Sequence, residues 1–133
     1  MKKFINFTNH PSAHWDSKQR ESAEKYGTIE DMAFPTVSPE MDEEELGNLA
    51  DEMVKQIMAK EPAAVLCQGE FTLAYQVIRR LIEKGITVLA ACSQRNTVEK
   101  TVDGVSQKTT TFEFVRFREY EEPSKGAAAV KES

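Results

Sequence analysis

Residues 63–91, AAVLCQGEFTLAYQVIRRLIEKGITVLAA, decide the fold. Ala63 to Cys67 is a continuous apolar run, as in a strand buried on both faces of a parallel sheet. Gln68-Gly69-Glu70 then turns the chain. Leu73, Ala74, Val77, Ile78, Leu81 and Ile82 recur at three- and four-residue spacing, the buried side of an amphipathic helix, with Gly85 as its cap. Ile86 to Ala91 is a second buried strand of the same kind, ending in Cys92-Ser93-Gln94-Arg95.

The same alternation extends upstream. Leu46, Leu49, Ala50, Met53, Val54, Ile57 and Met58 form another amphipathic face. The acidic run Glu40 to Glu45 precedes it, and Lys55 and Lys60 lie near its end, matching the helix macrodipole. Lys3 to Phe7 reads as a strand that runs out into the polar loop Thr8-Asn9-His10-Pro11. A helix follows, from Ser12 or Asp16 to Tyr26, with a thin apolar face of Trp15, Ala23 and Tyr26 and with Gly27 where a cap is expected. Thr28 to Phe34 is a strand ended by Pro35. Downstream the pattern changes to strand only. Val98 to Val102, Asp103-Gly104 and Lys108 to Tyr120 read as a hairpin on a tight turn. Phe112 and Phe114 share one face of its return strand and Val115 and Phe117 the other, so either both faces are covered or a bulge shifts the phase.

This order predicts an α/β fold, a Rossmann-like doubly wound, mainly parallel sheet with a C-terminal antiparallel hairpin. Residues 1–120 form one domain in this reading, and 121–133 a disordered tail. Right-handed crossovers make the first strand and Ala63 to Cys67 neighbours at the topological switch point.

With 133 residues, 40% hydrophobic and 29% charged, the chain can bury one core and is short for two. Seventeen Lys plus Arg against twenty-two Asp plus Glu give a net charge of -5, which disfavours long nucleic acid but leaves room for a compact anion. Two cysteines and two histidines without a CxxC pair offer neither a zinc site nor a disulfide framework. No metal or cofactor is expected. No apolar run reaches membrane-span length and Met1-Lys2-Lys3 leads straight into a strand, so the expected location is the cytoplasm.

Folds of this type bind ligands at the carboxyl ends of their strands. That edge would hold Thr8, Asn9 and His10 after the first strand, Gln68, Gly69, Glu70, Phe71 and Thr72 after the third, and Ser93, Gln94 and Arg95 after the fourth. A glycine between strand and helix lets a ligand approach the backbone, and free amides at a helix start can take an oxygen. Glu70 would suit a ribose hydroxyl, a base edge or proton transfer, or would simply cap the helix. Histidine at position 10 is a residue type suited to general acid or base work, or is a loop residue without chemistry. Ser93 and Arg95 could hold a phosphate, or Arg95 a surface salt bridge. Trp15 could stack on a base or pack the first helix. Cys67 and Cys92 end buried strands and read as small core residues. GxGxxG after the first strand, GxxxxGK[ST], GxSxG and HExxH are all missing, which removes the main support for dinucleotide, P-loop, α/β-hydrolase and zinc protease chemistry.

With Ile5-Asn6-Phe7-Thr8-Asn9-His10-Pro11 at the start, Leu66-Cys67-Gln68-Gly69-Glu70-Phe71-Thr72 in the middle and Phe114-Val115-Arg116-Phe117-Arg118-Glu119-Tyr120 at the end, the layout resembles small CRISPR-associated accessory proteins, single-domain relatives of the CARF fold. The resemblance spans residues 1–120. It implies binding of cyclic oligoadenylate, the second messenger of type III CRISPR defence, across a homodimer interface. It also implies removal of that messenger, by sequestration or by metal-independent cleavage as a ring nuclease. Cyclic tetra-adenylate is the expected ligand. By position His10, Arg95 and Glu70 would be the catalytic candidates. Thr8, Asn9, Gln68, Gly69, Phe71, Thr72, Ser93 and Gln94 would bind. Two other readings stand beside it: a nucleoside deoxyribosyltransferase-like enzyme with Glu70 as nucleophile, and a non-enzymatic partner-binding module using the hairpin edge.

Overall fold

The computed structural model describes residues 2–122; of the expected tail, 123–133 lie outside the described residues. The elements are β1 (Lys3–Thr8), α1 (Ser17–Glu24), β2 (Thr28–Ala33), α2 (Glu43–Ala59), β3 (Pro62–Cys67), α3 (Phe71–Glu83), β4 (Thr87–Val102) and β5 (Val105–Glu119), with a 3-10 turn at Ser12–His14 before α1. They build one five-stranded sheet in the order β2-β1-β3-β4-β5. β1 pairs in parallel with β2 and β3, β3 in parallel with β4, and β4 antiparallel with β5. The fold is the expected doubly wound α/β sheet, with its switch point between β1 and β3. Among the described residues no helix is long and apolar enough to cross a membrane.

Period-two alternation sorts the strand residues onto two faces. Ile5, Phe7, Val65, Cys67 and Val88 point to one side, where Ala50, Val54 and Ile57 of α2 and Leu73, Val77 and Leu81 of α3 cover them. Phe4, Ala64, Leu66 and Leu89 point to the other and meet Ala23 of α1, Trp15, Phe114 and Phe117. Two long helices shield the first face. One eight-residue helix and the root of the β4–β5 hairpin shield the second, and this uneven cover leaves a cleft there.

Asp16, Asp42 and Glu70 cap the three helices, each carboxylate accepting from the backbone N–H three residues on, at 2.8 Å in every case. Gly85 takes the left-handed conformation (φ 77°) that closes α3. Gly27 does not do the same for α1. Its φ is not positive, and a Cβ there would meet the Lys2 carbonyl oxygen at 2.4 Å, so the position is small because the backbone entering β1 passes close.

The largest departure from expectation is β4. The sequence suggests a strand from Ile86 to Ala91 that ends in Cys92-Ser93-Gln94-Arg95, with a separate hairpin strand from Val98. Instead β4 runs on for 16 residues to Val102. Its parallel pairing with β3 ends at Leu66–Leu89, but antiparallel pairing with β5 continues without a gap to Val102–Val105. The result is a two-stranded arm closed by Asp103-Gly104, both at positive φ (53° and 77°), the backbone a tight hairpin turn needs. The phase question in the return strand resolves as a bulge. Cys92 faces Arg116 while Ser93 faces Phe114, leaving Val115 as the extra residue. That residue rotates Phe114 and Phe117 onto one face, where their rings meet at 4.8 Å and both are buried.

Candidate functional site

Asn6 is buried in the middle of β1 and lies on the thinly covered face. Its amide donates to the His10 carbonyl (2.9 Å) and to Asp31 Oδ1 (3.0 Å), and its Oδ1 accepts from the Thr8 hydroxyl (2.8 Å). Thr8 Oγ1 accepts from the His10 N–H (3.1 Å), and Asp31 also receives the Ser12 N–H (3.2 Å). The loop from Asn9 to Ser12 is thus tied at one end to the buried Asn6 and Thr8 of β1 and at the other to the exposed Asp31 of β2. That fixes where His10 stands and where the 3-10 turn carrying His14 begins.

Beside this loop lies a cleft of about 470 Å³ at the carboxyl edge of the sheet, between β1, the start of α1 and the arm. Thr8, His10, Gln68 and Ser93 line it, as their positions in the sequence suggest. His14, Trp15 and Phe112 line it too. Trp15 both packs and lines: its ring lies edge-on to Phe4 at 6.1 Å and 6.4 Å from Phe117. Gln68 lines the cleft where β3 and β4 part, its Oε1 accepting from the Ala91 N–H (3.2 Å), and among the described residues its amide N–H groups have no partner. Arg95 is across the arm from Phe112, its guanidinium 5.6 Å from that ring centre, so it stands behind an aromatic that lines the cleft.

The remaining candidates lie elsewhere. Glu70, Phe71 and Thr72 line a second cleft of about 760 Å³ on the α2–α3 side, together with Asp42 and Glu43. The three strand ends meet at one cleft, through Thr8 and His10, Gln68 and Ser93, but the start of α3, expected beside them, opens onto the other one. Glu70 caps α3 and also accepts from the Thr72 hydroxyl (2.6 Å). These bonds, Thr72 first and the Leu73 N–H second, hold its carboxyl below the usual carboxylate range. With its first-turn amide taken by Glu70 and with Asp42 and Glu43 alongside, the α3 start repels an anion. Gly69 has no room for a side chain because a Cβ would meet the Phe34 ring at 2.5 Å, so a packed ring explains the glycine without a ligand. Asn9 is exposed and lines neither cleft. Gln94 is exposed on the arm, one register step from the cleft-facing Ser93, and donates to Asn96 (3.4 Å). Burial pushes the Cys67 thiol up to about 12, the state of a core residue and not of a nucleophile.

Asn6 and Asp31 are the positioning residues that pattern reading misses. The signal is there: an amide inside Phe4-Ile5-Asn6-Phe7 occupies an inward-facing position where the strand otherwise places apolar residues.

The class these features define is an α/β protein with a parallel sheet, an antiparallel arm and a polar-aromatic cleft at the switch-point edge. The chain belongs to the Uncharacterized protein MJ1673 family, whose model matches residues 2–118. No curated protein and no solved structure matches it.

Proposed function

We propose that this chain binds cyclic oligoadenylate, with cyclic tetra-adenylate as the expected ring, in the cleft between β1, α1 and the arm, and removes it as a metal-independent ring nuclease. One observation carries this reading: the two histidines of the whole chain, His10 and His14, line one cleft with three aromatic residues, Trp15, Phe112 and Phe114. Aromatic faces hold bases by stacking, and the Gln68 amide and Ser93 hydroxyl suit their polar edges. A pair of imidazoles suits phosphodiester cleavage by a neighbouring ribose. A neutral imidazole takes the proton of the 2′-hydroxyl as the 2′-oxygen bonds to phosphorus. The bond from phosphorus to the 5′-oxygen breaks, and the other imidazole, protonated, gives that oxygen its proton. The products are a 2′,3′-cyclic phosphate and a 5′-hydroxyl. Arg95, beside the cleft, supplies positive charge for the phosphate.

A homodimer belongs to this reading, because a two-fold pair of clefts matches a ring with two-fold symmetry. The arm is the element suited to pair two copies: every residue from 97 to 113 is exposed, and an isolated two-stranded ribbon is marginal in water. The location proposed is the cytoplasm, where the free thiols of Cys67 and Cys92 stay reduced. Glu70 is no longer a catalytic candidate in this reading, since its carboxylate caps α3 in the other cleft.

Incubation of the purified chain with labelled cyclic tetra- and hexa-adenylate tests the proposal. Linear products are expected, and His10→Ala and His14→Ala should each slow cleavage by about 100-fold or more while retaining ring binding. Retention of the ring without products would make the chain a sponge. Failure to bind either ring would overturn the reading.

A further inference from the structure

The second cleft is a mostly apolar groove that the proposed activity does not use. Phe71 and Tyr75, one helical turn apart on α3, are 89% and 63% exposed. Aromatic side chains of that size seldom stand in solvent together without a partner surface. Opposite them Val37, Met41 and Leu46 line the groove, and Leu46 also packs on the core. The groove is therefore a continuation of the core into solvent.

Its charge is one-sided. Asp42, Glu43 and Glu70 line it, and among the described residues no Lys, Arg or His does. Two of these carboxylates are fixed in place by their caps, Asp42 on the Glu45 N–H and Glu70 on the Leu73 N–H. Each cap bond uses one oxygen, Oδ1 of Asp42 and Oε1 of Glu70, and Oε1 also takes the Thr72 hydroxyl. An aromatic pair flanked by carboxylates held in position is complementary to a guanidinium on an apolar backbone segment. The ring faces attract the cation, the carboxylates accept its N–H groups, and the apolar wall takes flanking aliphatic side chains. Charge also rejects the alternatives: an anionic lipid surface or a nucleic acid would meet three carboxylates.

We infer that the α2–α3 groove docks an arginine-bearing, otherwise aliphatic segment of a partner protein. The probe is the blocked pentapeptide Leu-Arg-Leu-Arg-Leu, titrated into the nitrogen-15-labelled full chain and followed by amide NMR. Saturable shifts centred on Phe71, Tyr75 and the Asp42–Glu43 amides are expected, with none from the same peptide carrying glutamate for arginine. Asp42→Asn and Glu70→Gln keep a side-chain oxygen to cap their helices but remove the charge, and each should weaken binding at least tenfold. Phe71→Ala should do likewise. Equal response to the glutamate peptide, or affinity unchanged in the two charge variants, would overturn the inference. So would concentration-dependent shifts of the groove amides without peptide, since a second copy would then be the occupant.

Discussion

A single amide, Asn6, decides where the candidate chemistry sits. It uses both of its hydrogens and its oxygen to join β1, β2 and the His10 loop. Replacing it by Leu keeps the strand pattern but leaves the Thr8 hydroxyl, the His10 carbonyl and Asp31 short of partners. The expected cost is ~1–3 kcal/mol, read as a lower urea midpoint with an unchanged slope. The proposed cleavage should fall as well, because the loop bearing His10 loses its anchor. A variant as stable as the parent would mean that water replaces the network. Gly69 makes a separate case. If the Phe34 ring is what forbids a side chain there, Gly69→Ala should destabilise by ~1–3 kcal/mol through overpacking. Phe34→Leu in the same chain should recover much of that loss, a coupling that a double-mutant cycle measures. Two additive effects would show instead that the glycine serves the backbone.

At the scale of elements, β1, β3, α2 and α3 were legible because each buries a face or a run with a clear pattern, while α1, which buries only Ala23, was read from its polar helix-forming composition and the glycine after it. The 63–91 stretch carries both a buried-strand run and a 3.6-residue stripe, and right-handed crossover leaves little choice of order. What was not legible was the end of β4. A strand leaving the sheet has no apolar face to mark it, and Ser93 to Asn96 look like a polar loop. Pairing with β5 and not burial holds them extended. A different cause split the site. Residues were assigned to one edge by strand position, but the face on which each strand end and helix start lies separates Glu70 from His10. Replacing residues 97–110 by Asn-Gly should test the arm directly. Asn96 and Thr111 are paired neighbours, so the short turn leaves Arg95, Phe112 and the cleft intact. The truncated chain should still unfold cooperatively, and if the arm pairs two copies as proposed, it should sediment as a single copy at concentrations where the full chain sediments as two. An equal mass for both would place the dimer contact elsewhere.

Across the whole molecule, Glu30 links parts distant in sequence. It lies on β2 and meets Lys3 Nζ of β1 at 2.5 Å and Lys60 Nζ, at the end of α2, at 2.6 Å. The outermost strand, its neighbour and the longest helix are joined there by charge. The two hydrogen bonds, Lys3 first and Lys60 second, hold the Glu30 carboxyl below its ordinary value. A carboxyl lowered in the folded state stabilises fully above its unfolded value, about 4.3 for glutamate. That contribution falls away as pH drops from there through the folded value, because proton uptake then favours the unfolded chain. Glu30→Gln should therefore cost ~0.5–1 kcal/mol at pH 7, the modest scale of part-exposed ion pairs. The gap between the two proteins should close as pH falls below about 4.3, and it should narrow in 1 M salt, where screening acts over about 3 Å. Urea midpoints of both proteins from pH 7 to pH 3 decide it. A gap that stays constant with pH would assign the loss to side-chain packing, and the three elements would then be joined by contact and not by charge.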